Sequence, residues 1–255
     1  MKGCKQGAVM TDEVRRHYET ILAPNYTWMF GLSLAAKVAE QKALLIELLD
    51  GLMPAAGAAL DLGSGPGFQA LALAELGFSP VVALDTSAGL LAELEANRGD
   101  HKVVAICADL RDTARHAPAE GVRIAVCMGD TLTHLPDRDA IERLFADVFR
   151  LLLPGGVFVL TFRDLSQEVT GLDRFIPIRS DADRIMTCFL EFGAETVTVH
   201  DLIHRREPGG WVLHKSSYRK LRLAPAWVAA CLARAGFAVS VDRGAGRLHA
   251  LVARR

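Results

Sequence analysis

The chain has 255 residues, with 29 Lys+Arg against 30 Asp+Glu and a formal net charge of -1, so no overall positive field recommends nucleic acid or an anionic membrane as a partner. Hydrophobic residues make up 51% and charged residues 23%, which excludes the composition of disorder and allows one large domain with a real core. No apolar run follows Lys2 and Lys5, and the longest apolar stretch is broken at Pro154, Gly155 and Gly156, so neither a secretory signal nor a membrane span is expected.

In chain order, residues Thr11 to Ala23 and Leu32 to Leu49 read as helices, the second with a broad apolar face of Ala35, Val38, Ala39, Leu44, Leu45, Leu48 and Leu49. An aromatic-rich connection, Pro24-Asn-Tyr-Thr-Trp-Met-Phe-Gly31, joins them. From Ala58 an alternation begins. Apolar runs at Ala58-Leu62, Pro80-Leu84, Val103-Cys107, Val122-Met128 and Val157-Phe162 are separated by helical patterns at Gln69-Leu76, Ala88-Asn97 and Ala140-Leu152. Such alternation predicts an α/β fold with a doubly wound parallel sheet. The regularity stops after Phe162. Residues 163–184 read as mixed and turn-rich, and Thr187-Phe192, Thr196-Arg206 and Trp211-Leu223 read as an antiparallel insertion turning at Glu207-Pro-Gly-Gly210. A helix at Pro225-Ala235, stopped by Gly236, precedes strands at Phe237-Val241 and Leu248-Ala253. We therefore expect a single domain over 1–255: a helical lid (1–57), a cofactor-binding core (58–162), the insertion (163–223), and a C-terminal helix and hairpin (224–255). The five cysteines, Cys4, Cys107, Cys127, Cys188 and Cys231, contain no Cys-x-x-Cys pair; a metal site and a disulfide framework are not expected, and a cytoplasmic location is.

After the first strand comes Asp61-Leu-Gly63-Ser64-Gly65-Pro-Gly67, running straight into a helix. Small residues let a ligand approach the backbone, and the helix start offers free N–H groups. A dinucleotide fingerprint would place its third glycine at the position held by Phe68. Asp85 ends the second strand, followed by Thr86, and Asp109 follows the third. A carboxylate at the first place suits ribose hydroxyls, and one at the second an adenine amino group. A helix cap or solvated loop is the alternative for any one of them.

These segments resemble the class I S-adenosylmethionine-dependent methyltransferases, small-molecule branch. The resemblance rests on Asp61 to Gly67, Asp85, Ala108-Asp109-Leu110, Val126-Cys-Met128-Gly129-Asp130 and Leu152-Leu-Pro-Gly-Gly-Val157. It implies a seven-stranded sheet of order 3-2-1-4-5-7-6 with the last strand antiparallel, and S-adenosyl-L-methionine as cofactor. The implied cofactor-binding residues are Asp61, Gly63, Ser64, Gly65, Gly67, Asp85, Thr86, Asp109, Leu110, Met128, Gly129 and Tyr26.

Methyl transfer from a sulfonium is an in-line displacement, so a nucleophile must be held about 3 Å from the methyl carbon. The N-terminal helices, implied to form a lid, bring Tyr18, Tyr26 and Trp28 as candidate cofactor and substrate contacts; core packing is the competing role for Trp28. The loop after the fourth strand opens onto the methyl group in this fold, and His134 on it is the candidate general base, with Tyr26 the second catalytic candidate. Asp130 orients substrate or caps a turn; Arg163 pairs with an acidic substrate group or with Asp164 or Glu168. In the insertion, His200 and His204 share one strand face, without a third metal ligand. The expected acceptor is a small molecule enclosed between lid and insertion, not nucleic acid or membrane, and an exposed insertion edge would allow a homodimer. A non-catalytic S-adenosylmethionine-binding regulator, a nucleotide-binding oxidoreductase, and a methyltransferase of RNA or protein are the alternatives.

Overall fold

The computed structural model describes residues 12–245 and 247–255; Thr11, where the first helix is expected to begin, lies outside them. Seven strands form one sheet: β1 (Ala59–Leu62), β2 (Val81–Asp85), β3 (Val103–Cys107), β4 (Val122–Cys127), β5 (Leu152–Phe162) and the C-terminal pair β10 (Ala238–Ala245) and β11 (Leu248–Arg254). Their order is β10-β11-β5-β4-β1-β2-β3, with β11 antiparallel to both neighbours. This is the expected 3-2-1-4-5-7-6 arrangement.

Alternation along each strand builds two cores. Leu60, Leu62, Leu84, Ala125, Phe158 and Leu160 face one side, against Leu144, Phe145 and Val148 of α7 (Arg138–Leu151) and Leu232 of α8 (Pro225–Arg234). Ala59, Ala83, Ile124, Val126 and Val159 face the other, against α3 (Leu34–Leu48), α4 (Phe68–Glu75) and α5 (Ala88–Asn97). Both faces are covered, so the strands carry few polar residues except at their carboxyl ends. Asp61 and Asp85 are such exceptions. Caps fix where the helices start: Ser87 accepts from Leu90 N at 3.4 Å for α5, and Asp137 accepts from Ala140 N at 2.7 Å for α7.

The insertion is a separate sheet of β6 (Phe175–Ser180), β7 (Arg184–Phe192), β8 (Thr196–Glu207) and β9 (Gly210–Leu221), antiparallel throughout in that order. Strand β6 corrects the expectation that 163–184 is irregular. Pro177 breaks the sequence pattern, but β6 is an edge strand with a register shift beside that proline, where a missing N–H is tolerated.

The N-terminal segment also differs from a single helix over 11–23. After α1 (Asp12–His17) the backbone widens into a π-helical turn at Tyr18–Leu22, tightens to a 3-10 turn at Ala23–Asn25, and enters the short helix α2 (Tyr26–Phe30), which stops at Gly31 with φ +72°. Pro24 lacks the N–H a regular helix would use there. The short α6 (Thr113–His116) follows a 3-10 turn at Leu110–Asp112. Among the described residues, no helix is long and apolar enough to cross a membrane.

Gly67 marks the tightest contact between the glycine loop and the core. Its φ is +90°, and a Cβ there would lie 2.2 Å from Leu94 Cδ1. Gly67→Ala is therefore expected to lower stability by about 1–3 kcal/mol, read as a lower midpoint in denaturant unfolding. An unchanged midpoint would show that the loop does not depend on this conformation.

Candidate active site

The parallel strands deliver their carboxyl ends to one edge of the sheet, and the loops there surround one cavity. Gly63 (φ +77°) and Gly65 (φ +52°) turn the chain between β1 and α4 and line it. Asp85, at the end of β2, holds this loop: its Oδ2 accepts from Gly65 N and its Oδ1 from Ser87 N, both at 2.8 Å. A carboxylate oxygen can accept two hydrogen bonds, so Asp85 fixes the loop and keeps capacity for a ligand diol. Burial raises its proton affinity above the usual carboxylate range, against those backbone donors.

Asp61 stands next to it, wholly buried, with Oδ2 unpartnered; Ser64 Oγ is also buried and unpartnered. Burial, and then the neighbouring Asp85 charge, push the Asp61 carboxyl up to about 8. Two orphaned buried polar atoms beside a glycine cradle and a carboxylate with spare acceptor capacity fit a ligand that carries an ammonium group and a ribose, as S-adenosylmethionine does.

Thr86, Asp109 and Leu110 line the same cavity, as does Tyr26, whose ring stacks on Phe68 with centroids 6.4 Å apart. Asp109 does not stand alone. Arg111 closes a bidentate pair on it, Nε to Oδ1 and Nη2 to Oδ2, each 2.8 Å, and itself lines the cavity. Its planar, fixed guanidinium is therefore part of this end of the site, a contribution the sequence motif did not reveal. Met128 packs into the core and Gly129 N donates to Thr161 Oγ1 at 2.7 Å. Both support the loop after β4 from beneath, whereas Thr131, also unforeseen, lines the cavity.

At the far end stand Tyr18 and His134, with Tyr18 OH 3.3 Å from His134 Nε2. His134 Nδ1 is buried without a partner. Burial, then the Lys220 ammonium, push the imidazole down to about 3, against the opposing pull of Asp130. With these neighbours it is neutral near pH 7, below the 6.5 expected of an unperturbed base.

Asp130 and Arg163 are drawn away from the cavity by another partner. Lys220 Nζ on β9 lies 2.5 Å from Asp130 Oδ2, Arg163 N donates to Asp130 Oδ1 at 3.0 Å, and Arg163 Nε is 3.6 Å from Asp130 Oδ2. Burial alone would raise Asp130, but the Lys220 ammonium, with the hydrogen bond from Arg163 N, holds it below the usual carboxylate range. Arg163 thus pairs with Asp130 and not with Asp164 or Glu168, and the cluster ties the insertion to the loop that carries His134. Trp28 is held by partners on the insertion. Its Nε1 donates to Asp181 Oδ2 at 2.5 Å, and Arg184 lies 4.4 Å from its ring centroid, so Trp28 fastens α2 to the β6–β7 turn.

The inner face of β8 carries Val197, Val199, Asp201 and Ile203, all buried. His200 and His204 occupy the opposite face, with His200 Nε2 2.9 Å from Glu191 Oε2. Among the described residues, no group of three or more His, Cys, Asp or Glu is placed to hold a metal ion.

Residues 59–156 match the family profile described as "Methyltransferase domain". The chain is 33% identical over 155 residues to the cypemycin N-terminal methyltransferase of a Streptomyces species; the match takes in 54% of this chain and 62% of that relative's length. Two solved structures share the fold. One is an S-adenosylmethionine-dependent methyltransferase from Clostridium acetobutylicum ATCC 824, with TM-score 0.73 at 15% identity over 95% of this chain and 98% of that one. The other is CalS10 with S-adenosylmethionine bound, an amino pentose methyltransferase from Micromonospora echinaspora, with TM-score 0.73 at 16% identity over 92% and 96%. Residues 59–156 thus carry a methyltransferase domain, and the chain's sheet order and glycine-loop cavity share the fold of these S-adenosylmethionine-dependent methyltransferases.

Proposed function

We propose that the chain methylates an amine nitrogen of a small-molecule acceptor and releases S-adenosylhomocysteine. The carrying observation is that the cavity starting at the glycine loop and Asp85 ends on two uncharged groups, Tyr18 and His134, the second with an unpartnered buried nitrogen. When bound, S-adenosylmethionine supplies an activated methyl group on a sulfonium. Asp61 and Ser64 would receive its ammonium end, Asp85 its ribose diol, and Asp109 with Arg111 its base, while Tyr26 closes the cavity from the lid.

An amine attacks only as the free base, because an ammonium has no lone pair. The burial and the Lys220 cation that keep His134 neutral also disfavour a protonated amine beside it, so the acceptor is held in its reactive form. His134 Nδ1 then orients it by hydrogen bonding, which places His134 as an orienting partner and weak proton acceptor. An N-terminal amine and an amino sugar are the acceptors indicated by the names of the cypemycin enzyme and CalS10, and both have this chemistry.

A panel of small amines, read by released S-adenosylhomocysteine, tests this directly. His134→Ala should lower kcat by roughly 10- to 100-fold while S-adenosylhomocysteine affinity in calorimetry stays within about twofold. A fully active variant would remove His134 from the role. Tight binding of NAD with none of S-adenosylhomocysteine would overturn the cofactor assignment itself.

A further inference from the structure

The residues behind His134 form a connected buried assembly that the motifs do not account for. Tyr218 of β9 is buried, and its ring lies 5.3 Å from the His134 ring at an interplanar angle of 21°. The same ring meets His17 at 4.3 Å and Tyr18 at 6.3 Å, and the Lys220 ammonium sits 5.4 Å from its centroid. His17 is completely buried and fixed in turn, its Nε2 lying 2.9 Å from Oδ2 of Asp201 on β8. Register explains how these groups meet: Val199 pairs with Tyr218 and Asp201 with Ser216, so Asp201 and Tyr218 project from the same face of the insertion sheet. Lid, insertion and the loop after β4 therefore converge on one ring.

We propose that Tyr218 is the positioning residue for His134, and that the His17–Asp201 pair fixes Tyr218 from behind. An imidazole at the end of a short 3-10 turn, Thr131–His134, has one side-chain hydrogen-bond partner, Tyr18. Beyond that bond, two rings bear on the plane in which its nitrogens lie: Tyr18 edge-on, with centroids 5.5 Å apart, and Tyr218 stacked at 5.3 Å. A flat ring stacked within contact distance fixes that plane, and a flexible aliphatic chain does not. The Asp201–His17 hydrogen bond satisfies the one acid on the inner face of β8, so the support is held by a buried bond as well as by packing. This inference rests on the amine-methylation reading only for its consequence in turnover; its structural content stands without it.

The test uses the full chain labelled with nitrogen-15 in histidine, His134 being identified by the signal lost in His134→Gln. The charged and titratable groups around His134 are Lys220, Asp130, His17, Tyr18 and Tyr218, so spectra of all variants are compared at one and the same pH. Wild type and Tyr218→Phe, which keeps the stack, should show His134 as one neutral tautomer with an Overhauser contact to the Tyr18 ring. Tyr218→Leu and Tyr218→Met should show averaged nitrogen shifts and lose that contact, while S-adenosylhomocysteine affinity stays within about twofold. With an amine acceptor, kcat should fall about tenfold or more in the Leu and Met variants and be retained in Tyr218→Phe. Unchanged His134 shifts in the Leu and Met variants overturn the proposal, whatever happens to turnover. If the shifts move as stated but His134→Gln leaves turnover intact, the positioning stands and the role of His134 in methylation fails.

Discussion

Asp85→Ala is expected to weaken binding of S-adenosylhomocysteine by roughly 10- to 150-fold, equivalent to about 1.5–3 kcal/mol for hydrogen bonds to a charged group. Two losses combine. The ribose diol would lose its acceptor, and the Gly65 and Ser87 N–H groups would lose the carboxylate that now holds them at 2.8 Å. Asp85→Asn separates the two, because an amide keeps one acceptor oxygen of nearly the same shape but cannot receive both backbone donors and both hydroxyls. Calorimetry should rank wild type above Asn, and Asn above Ala. Equal affinities for wild type and Ala would show that Asp85 shapes the loop without binding the ligand.

That prediction draws on a part of the site that was legible in the chain. Parallel strands buried on both faces leave unbroken apolar runs, so Asp61 and Asp85 stand out against Ala-Leu and Val-Val-Ala-Leu as residues that need a reason to be there. Glycines at positive φ are equally visible, because few other residues serve. The end of the cavity around His134 was harder to read. Asp130 and Arg163 looked available to a substrate because Lys220, which claims Asp130, lies 90 positions away in another sheet. The partner of Trp28, Asp181, was equally hidden, since it sits in a stretch read as mixed and turn-rich. His17 and Asp201 are 184 positions apart, beyond any local pattern. One signal was nevertheless present: in Val197-x-Val199-x-Asp201-x-Ile203 a lone acid interrupts an inward-facing apolar series, and such an acid requires a buried partner.

Asp61 leads to the largest pH effect. Its folded-state carboxyl titrates near 8, against about 3.9 for an unperturbed aspartate. Between these values the folded protein holds a proton that the unfolded chain has released, so this group's contribution to stability is fully present below pH 4 and is lost as pH rises through 8. Ligand binding reverses the preference. An ammonium placed at the unpartnered Oδ2 stabilises the carboxylate and lowers its pKa, so the complex binds fewer protons than the free protein across the window below 8. Affinity for S-adenosylhomocysteine should therefore rise with pH by up to about tenfold per unit and level off near 8, with release of up to about one proton. His134, which titrates near 3, lies outside this window. Asp85, raised in the same direction by burial, lies closest to Asp61 and is separated from it by mutation. Calorimetry in buffers of different ionisation enthalpy counts the protons directly. Asp61→Asn should abolish most of the release and flatten the affinity profile, whereas Asp85→Asn should weaken binding and leave most of the release in place. If wild type binds near pH 7 with no proton released and Asp61→Asn binds as tightly, Asp61 stays protonated in the complex, and the ammonium end of the ligand has to be sought elsewhere in the cavity; no release with weakened Asn binding would show Asp61 already ionised in the free protein.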